Sequence, residues 1–588
     1  MSRSALRISA AAGVGGVVVC TALAVCFLRP ESPATPSGSF LARPDVFVLD
    51  IPRVEDASDA IGKSVKKLLL NPLKGRNPSA ASAAFHPEFL ARFPAPDSAP
   101  GFLEAGLRFR EYGETAGPDL DAGAFLSTVA KHLEGWAVIE RASWRAFETL
   151  LTPDSTSAFV SAHLQLGGST HSGTRGDLQG VVEAQVVSDG VEWKLRRLSW
   201  KYGTRIDSEV LPFADISAAT GLTWNFSDEN QLVLQQLIDQ RGPNTVGGIS
   251  AVDWNRDGHW DLIATLADKT AVLFENDGRG GFERRPLPFA TAHECGNVAL
   301  MADLDRDGLD EIVTGQVLSA ESSRGRIGVY TRRSGQWELL PGALEFDLPP
   351  GVRGLLPQAV VPGDINGDGL VEIFVGIYSH AGSRQDRFSN IEAYDGADDL
   401  LFVNHGNLSF TEESDARGIH STQFTLAAAF FDLDADGDQD LIQVNDYGPN
   451  VVWENSGSGT FRRDKTHPFV RDPGYNMGVC IADFDNSGKW SVHFSDMYSH
   501  AGNRILRLGG GLGPELLRKA LVLAGGNRMF ESVPGTPGGW TDVGNDRGIA
   551  YADWAWSCNF FDFDNDGDRD LFVTNGFTSH TNPASPDY

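Results

Sequence analysis

Six times along this chain a loop returns with the pattern Asp-x-Asp/Asn-x-Asp-Gly-x-x-Asp/Glu or a close variant, and this recurrence limits the fold more than any other feature. The copies start at Asp253, Asp303, Asp364, Asp432, Asp483 and Asp562, spaced by roughly 50 to 80 residues, enough for one supersecondary unit each. In the first three loops, positions 1, 3, 5 and 9 are Asp253, Asn255, Asp257 and Asp261; Asp303, Asp305, Asp307 and Glu311; and Asp364, Asn366, Asp368 and Glu372. In the fourth and sixth they are Asp432, Asp434, Asp436 and Asp440, and Asp562, Asp564, Asp566 and Asp570. The fifth keeps Asp483 and Asp485 but has Ser487 and Ser491 where the others have carboxylates.

Such spacing suits a hard cation. Calcium takes six to eight oxygens, and carboxylates at positions 1, 3, 5 and 9 with a carbonyl at position 7 can wrap one ion, while glycine at position 6 permits the sharp turn. Without an ion these carboxylates repel one another. An EF-hand would need Glu at position 12, but Ala264, Thr314, Val375, Gln443, Phe494 and Val573 stand there, which excludes it. Apolar runs flank each motif, for example 427–431 before the fourth loop and 571–573 after the sixth, so each loop joins two strands. The expectation is about five calcium sites and a weak or empty sixth at the fifth loop.

The units around the loops are copies as well. Phe410, Gly418, Ile419 and Asp432 reappear in the same register as Trp540, Gly548, Ile549 and Asp562, and Phe213, Gly221 and Leu222 repeat the first half. A helix-like insertion near 230–240 precedes the motif at Asp253. The stretches 562–576 and 273–282 resemble FG-GAP/VCBS repeats, and together with Phe213-Ala-Asp-Ile and Gly221-Leu222 they resemble the cartilage acidic protein and ASPIC/UnbV group over about 210–588. The resemblance implies a mainly β fold, a propeller of six or seven blades with calcium between strands of a blade. The last motif stands close to Tyr588, so residues near Phe213 are candidates to complete the last blade.

The region before the repeats reads differently. Arg3 and Arg7 precede an apolar stretch over 8–28 and a Pro/Ser-rich linker over 31–43, so residues 1–30 read as an export signal or membrane anchor. Ala22-Leu23-Ala24 fits a cleavage site; a lipoprotein-type reading at Cys26 is opposed by the bulk of Val25. The folded part is expected outside the cytoplasm: secreted, periplasmic or membrane-anchored.

Residues 44–206 read as one α+β domain. Ile61, Val65, Leu68 and Leu69 have helical spacing, and 85–93 is a second candidate helix. Val160, Ala162, Leu164 and Leu166 alternate as in a strand, and so do Leu178, Val182, Ala184 and Val186. In a third strand Val191, Trp193 and Leu195 lose parity at Arg196-Arg197 before Leu198 and Trp200, which predicts a bulge. Helices followed by long bent strands resemble the SnoaL-like fold.

A net charge of −29 argues against nucleic acid as a partner. The five cysteines give no readable disulfide framework, and Cys295, Cys480 and Cys558 read as small buried side chains. Tyr378-Ser379-His380 recurs as Tyr498-Ser499-His500, with Thr578-Ser579-His580 in the comparable place, which makes His380, His500 and His580 a candidate ligand face opposite the acidic loops. His86, His132 and His163 read as isolated histidines. No nucleophile motif, phosphate loop or HExxH sequence assigns a catalytic residue. The functional expectation is an exported scaffold binding an extracellular or envelope protein or glycan. The rivals are an enzyme, with its site in the α+β domain or on the histidine face, and an oligomeric display scaffold.

Overall fold

The computed structural model describes two strands at 6–11 and 20–25, then residues 40–208 apart from 42, 105 and 116, and then 215–223, 248–265, 271–287 and 299–315. It continues over 324–333, 335–348, 355–380, 393–394, 396–508, 512–536 and 538–575, with the side chains of 104, 379, 380 and 507 left aside. The insertion expected near 230–240, Phe213, Cys295 and His580 lie outside the described residues.

In the α+β domain, Ile51–Val65 is a helix capped by Asp50, whose carboxylate accepts the Arg53 N–H at 3.3 Å. Its apolar stripe, Val54, Ile61 and Val65, runs on through a wider helical turn, Lys66–Leu70, to the buried Leu69 and Leu70. A second helix, Ala122–His132, is capped by Asp121. Both pack on a bent sheet ordered Gly101–Glu104, Leu107–Tyr112, Trp193–Ser208, Arg175–Ser188, Ser157–Ser169, Val138–Leu151. The bulge falls where parity fails: Gln185 pairs with Arg197 and Val186 with Leu195, leaving Arg196 as the extra residue and returning Leu198 and Trp200 to the core.

The helix expected over 85–93 is instead a strand, Phe85–Arg92, parallel to Trp193–Ser208. Phe85, Phe89 and Phe93 fit helical spacing, but Phe89, Ala91 and Phe93 also alternate, and all three are buried. Pro87 disfavours helical backbone at His86 before it, and pairing with Trp193–Ser208 selects the period of two.

Beyond residue 247, besides a short pair of Gly448–Pro449 with Pro473–Gly474, come six sheets, each opening with two antiparallel strands joined by one acidic loop. Their first strands are Gly248–Val252, Ala299–Ala302, Leu355–Gly363, Phe424–Phe431, Gly478–Ala482 and Ala555–Phe561. Sheets 1, 3, 4 and 5 have four strands in order, and sheet 2 carries a fifth, Leu344–Asp347, against Arg324–Arg333. In sheet 6 the backbone of Leu6–Ala11 runs parallel to Asp570–Asn575 and pairs with Cys20–Val25; the other described pairings in the six sheets are antiparallel. First strands of sheets 1, 3, 4, 5 and 6 converge on one cavity of about 380 Å³, lined by Ser250, Gln358, Ala427, Val479 and Cys558 among others. Ser250 Oγ also donates to the Ala299 carbonyl, tying sheet 1 to sheet 2.

The α+β domain packs against the last two sheets. Arg504, on the helix His500–Arg507, pairs with Glu55 and donates to the Ala146 carbonyl at 2.7 Å, and Arg145 pairs with Asp553 at 2.5 Å. Phe563 of the sixth acidic loop packs on Leu107, Phe109 and Ile206. Among the described residues no helix is long and apolar enough to cross a membrane.

Candidate functional site

One backbone serves all six acidic loops. Position 4 is left-handed in every copy: Arg256, Arg306, Gly367, Ala435, Asn486 and Asn565 have φ between 52° and 72°. The glycine at position 6 is left-handed too, with φ from 79° at Gly488 to 98° at Gly437, where a side chain would be strained. The aspartate at position 1 holds this turn, because one of its oxygens accepts the glycine N–H at 2.9–3.1 Å in all six loops.

Position 9 opens the second strand and points inward. Asp261, Glu311, Glu372 and Asp440 are at most 3% exposed. One oxygen accepts the N–H of position 2: from Trp254, Leu304, Ile365, Leu433 and, for Asp570, Phe563, at 2.9–3.3 Å. In sheets 1 to 4 the other oxygen reaches the third strand, accepting the N–H of Asn276, Asn404 or Asn455, or the Thr331 hydroxyl. In the fifth loop the buried Ser491 Oγ has no hydrogen-bond partner among the described residues.

These loops concentrate negative charge around one inward-facing carboxylate. Burial, reinforced by neighbouring loop carboxylates, pushes Glu311, Glu372, Asp440 and Asp570 up to about 7. Asp434 and Asp564 are raised for the same two reasons. Asp303, Asp364 and Asp564 each keep one carboxylate oxygen buried without a hydrogen-bond partner among the described residues. In the second loop Asp303, Asp305 and Glu311, in the fourth Asp432, Asp434 and Asp440, and in the sixth Asp562, Asp564 and Asp566 bring ligand oxygens within 4.8 Å of one another. Oxygen-only clusters with unsatisfied buried charge can hold a hard cation, which would relieve both the repulsion and the desolvation.

Neighbouring loops are also tied together by residues that the sequence pattern did not single out. Arg256 donates to the Gly308 carbonyl of the second loop, Arg306 to Asp368 of the third at 3.4 Å, and Asn486 to Gly567 of the sixth at 2.8 Å. Asn404 and Asn455 donate to the position-2 carbonyls of the preceding sheets' loops, Leu304 and Ile365, both at 2.8 Å. A usable signal was present: Asn276 and Asn455 both stand 15 residues after position 9 of their loop.

The candidate histidine face is only partly described. His380 ends the strand Glu372–His380, with its backbone alone described, and His580 lies outside the described residues. His500 opens the helix beside the α+β domain, where its ring meets His163 at 5.4 Å, Tyr551 at 5.4 Å and Tyr498 at 5.0 Å. His163 stacks on Tyr551 at 4.3 Å. Burial lowers both His163 and His500 to about 3, so they are neutral at ordinary pH. His132 is fully buried, with Nε2 2.8 Å from the Pro94 carbonyl.

A run of two-stranded units built around one acidic loop defines a class of repeat protein, and the FG-GAP-like repeat model matches residues 237–314 and 432–492, spanning the first, second, fourth and fifth loops. The chain therefore carries FG-GAP-like repeats. Among curated proteins it resembles cartilage acidic protein 1: the mouse protein (Mus musculus) is 24% identical over 265 residues, covering 42% of this chain and 40% of that protein. The human protein (Homo sapiens) is 23% identical, with coverage of 42% and 39%. The alignments thus span about two-fifths of these relatives' length. A solved hexachlorocyclohexane dehydrochlorinase (LinA type 2) overlays on 28% of this chain and 97% of its own at 9% identity, but its TM-score of 0.20 carries no argument.

Proposed function

We propose that this protein is an exported, calcium-stabilised β-propeller of six blades that displays its connecting loops to a protein or glycan partner. The observation that carries the reading is the position-9 carboxylate, present in five loops and fully buried in four of them, set among the other carboxylates of its loop. Closure into a ring is supported by the cavity that first strands of sheets 1 and 6 share with those of sheets 3, 4 and 5. Export is supported by the apolar sequence over 8–28, which as a signal or anchor would leave its place beside Asp570–Asn575, and calcium is abundant outside cells. For the partner, a second cavity of about 340 Å³ offers mixed polar chemistry of the kind a sugar needs, with Tyr394, Asp398, His420 and Arg463 in its wall.

Calcium acts here as a ligand of the native state alone and so raises the unfolding temperature. The test is a thermal melt in millimolar calcium against a melt in excess chelator. Overlapping curves would sink the calcium reading, and absence of binding to glycan and peptide arrays in calcium would sink the display reading.

A further inference from the structure

Away from the acidic loops, three side chains of a different chemistry meet between sheets 5 and 6. Cys480 lies on Gly478–Ala482, directly across from His493 on Ser491–Ser495, so both project from the same face of sheet 5. Cys558 arrives from Ala555–Phe561 of sheet 6, and its thiol lies 3.8 Å from the His493 carbonyl. The two sulfurs and a ring nitrogen of His493 all lie within 4.8 Å of one another.

His493 is the telling member. It is 0% exposed, and neither Nδ1 nor Nε2 makes a well-formed hydrogen bond among the described residues, the Cys558 thiol being a polar group that interacts with the ring. A buried imidazole with both nitrogens unsatisfied is costly, and natural interiors avoid it unless something else binds there. Two residues further along the strand and on the same face, the Ser495 hydroxyl is likewise buried without a partner. A bond between the two sulfurs would leave the imidazole as it stands. A metal ion would satisfy it.

We propose that Cys480, His493 and Cys558 form a binding site for a zinc-class transition-metal ion, separate in place and chemistry from the acidic loops. Two thiolates and one imidazole select a borderline or soft ion over calcium, which takes oxygen donors. Three protein ligands leave a fourth position, for which Ser495 Oγ or a water is available. The site is reachable, because Cys558 lines the cavity at the first strands together with Met477 and Val479.

The test is titration of the reduced, metal-free full chain with Co(II), in excess calcium so that the acidic loops are not available to it. We expect one equivalent to give thiolate-to-cobalt charge-transfer bands and tetrahedral visible bands, bleached by one equivalent of Zn(II). Cys558→Ser should lose charge-transfer intensity. His493→Gln should weaken binding by more than the roughly 10- to 100-fold that loss of an outer-shell partner costs. Both variants are first checked for an unchanged melt in calcium, and the wild-type titration stands if either fails to fold. Reduced wild-type protein without such bands overturns the proposal, including protein isolated with a Cys480–Cys558 disulfide that takes up no Co(II) after reduction. Bands of equal strength and affinity in both folded variants overturn it too.

Discussion

The fourth and fifth acidic loops have the same backbone and opposite chemistry. In both, position 4 and the glycine are left-handed, and the first aspartate accepts the N–H groups of positions 5 and 6 at 2.9–3.1 Å. Yet the fourth gathers Asp432, Asp434 and Asp440, whereas the fifth offers Ser487 and Ser491. The turn therefore forms without carboxylates at positions 5 and 9. Carboxylates at those two positions are surplus to the loop's shape, and the buried one at position 9 is costly without a counter-charge, a cost that a cation would relieve.

Removing calcium is the strongest way to break this comparison. One site at a free calcium concentration a hundredfold above its Kd contributes about 2.7 kcal/mol, so chelation at several sites should lower the unfolding temperature by more than about 10 °C. A smaller effect with inverted sign is expected for Asp440→Asn. In calcium the variant should melt lower, because a ligand charge is lost. In chelator it should melt at the same temperature or higher, because a buried carboxylate held near pH 7 no longer has to ionise. Paired melts of the variant and the parent check both signs, and a variant less stable in both conditions would make Asp440 a merely structural residue.

Acidity offers a third test. With no ion bound, Glu311, Glu372, Asp440 and Asp570 titrate near 7 in the folded protein but in the ordinary carboxylate range when unfolded. Between those values the native state binds more protons than the unfolded chain, so stability falls as pH rises through that window and levels off above about 7. The chelated protein should lose on the order of 5 °C between pH 5 and pH 8. In calcium the trend should flatten or reverse, since the ion favours the ionised form.

How much of this was legible beforehand follows from where the information sits. The loops could be read because one repeated turn keeps its residue types at fixed spacing, as at Asp562, Asp564, Asp566, Gly567 and Asp570. The bulge at Arg196 could be read because alternation has only two phases. The strand at Phe85–Arg92 could not, since three phenylalanines four residues apart satisfy both periods until Pro87 is weighed. Contacts between sheets left no local trace: Cys480 and Cys558 belong to different repeats, and His493 looks like one more residue of a buried strand. Arg256 and Arg306 look like solvated arginines in sequence, but they bridge adjacent loops.

The mildest test asks whether the fifth loop can be converted into the fourth. Ser487→Asp with Ser491→Asp restores the missing carboxylates on a backbone that already has the required shape. Position 491 is 1% exposed, so the new carboxylate would be desolvated as Asp440 is, and without an ion the double variant should melt a few degrees lower than the parent. In calcium the order should reverse by a similar amount, and calorimetric titration should count one more ion per chain. The phenyl ring of Phe484, stacked with Phe560, and the Arg569 N–H donated to the Phe484 carbonyl at 2.7 Å already brace this loop against sheet 6, so little reorganisation stands in the way. A double variant that binds no additional calcium would mean that shape and charge together are insufficient. The ties between loops, such as Asn486 to Gly567, would then be what prepares the other sites for their ion.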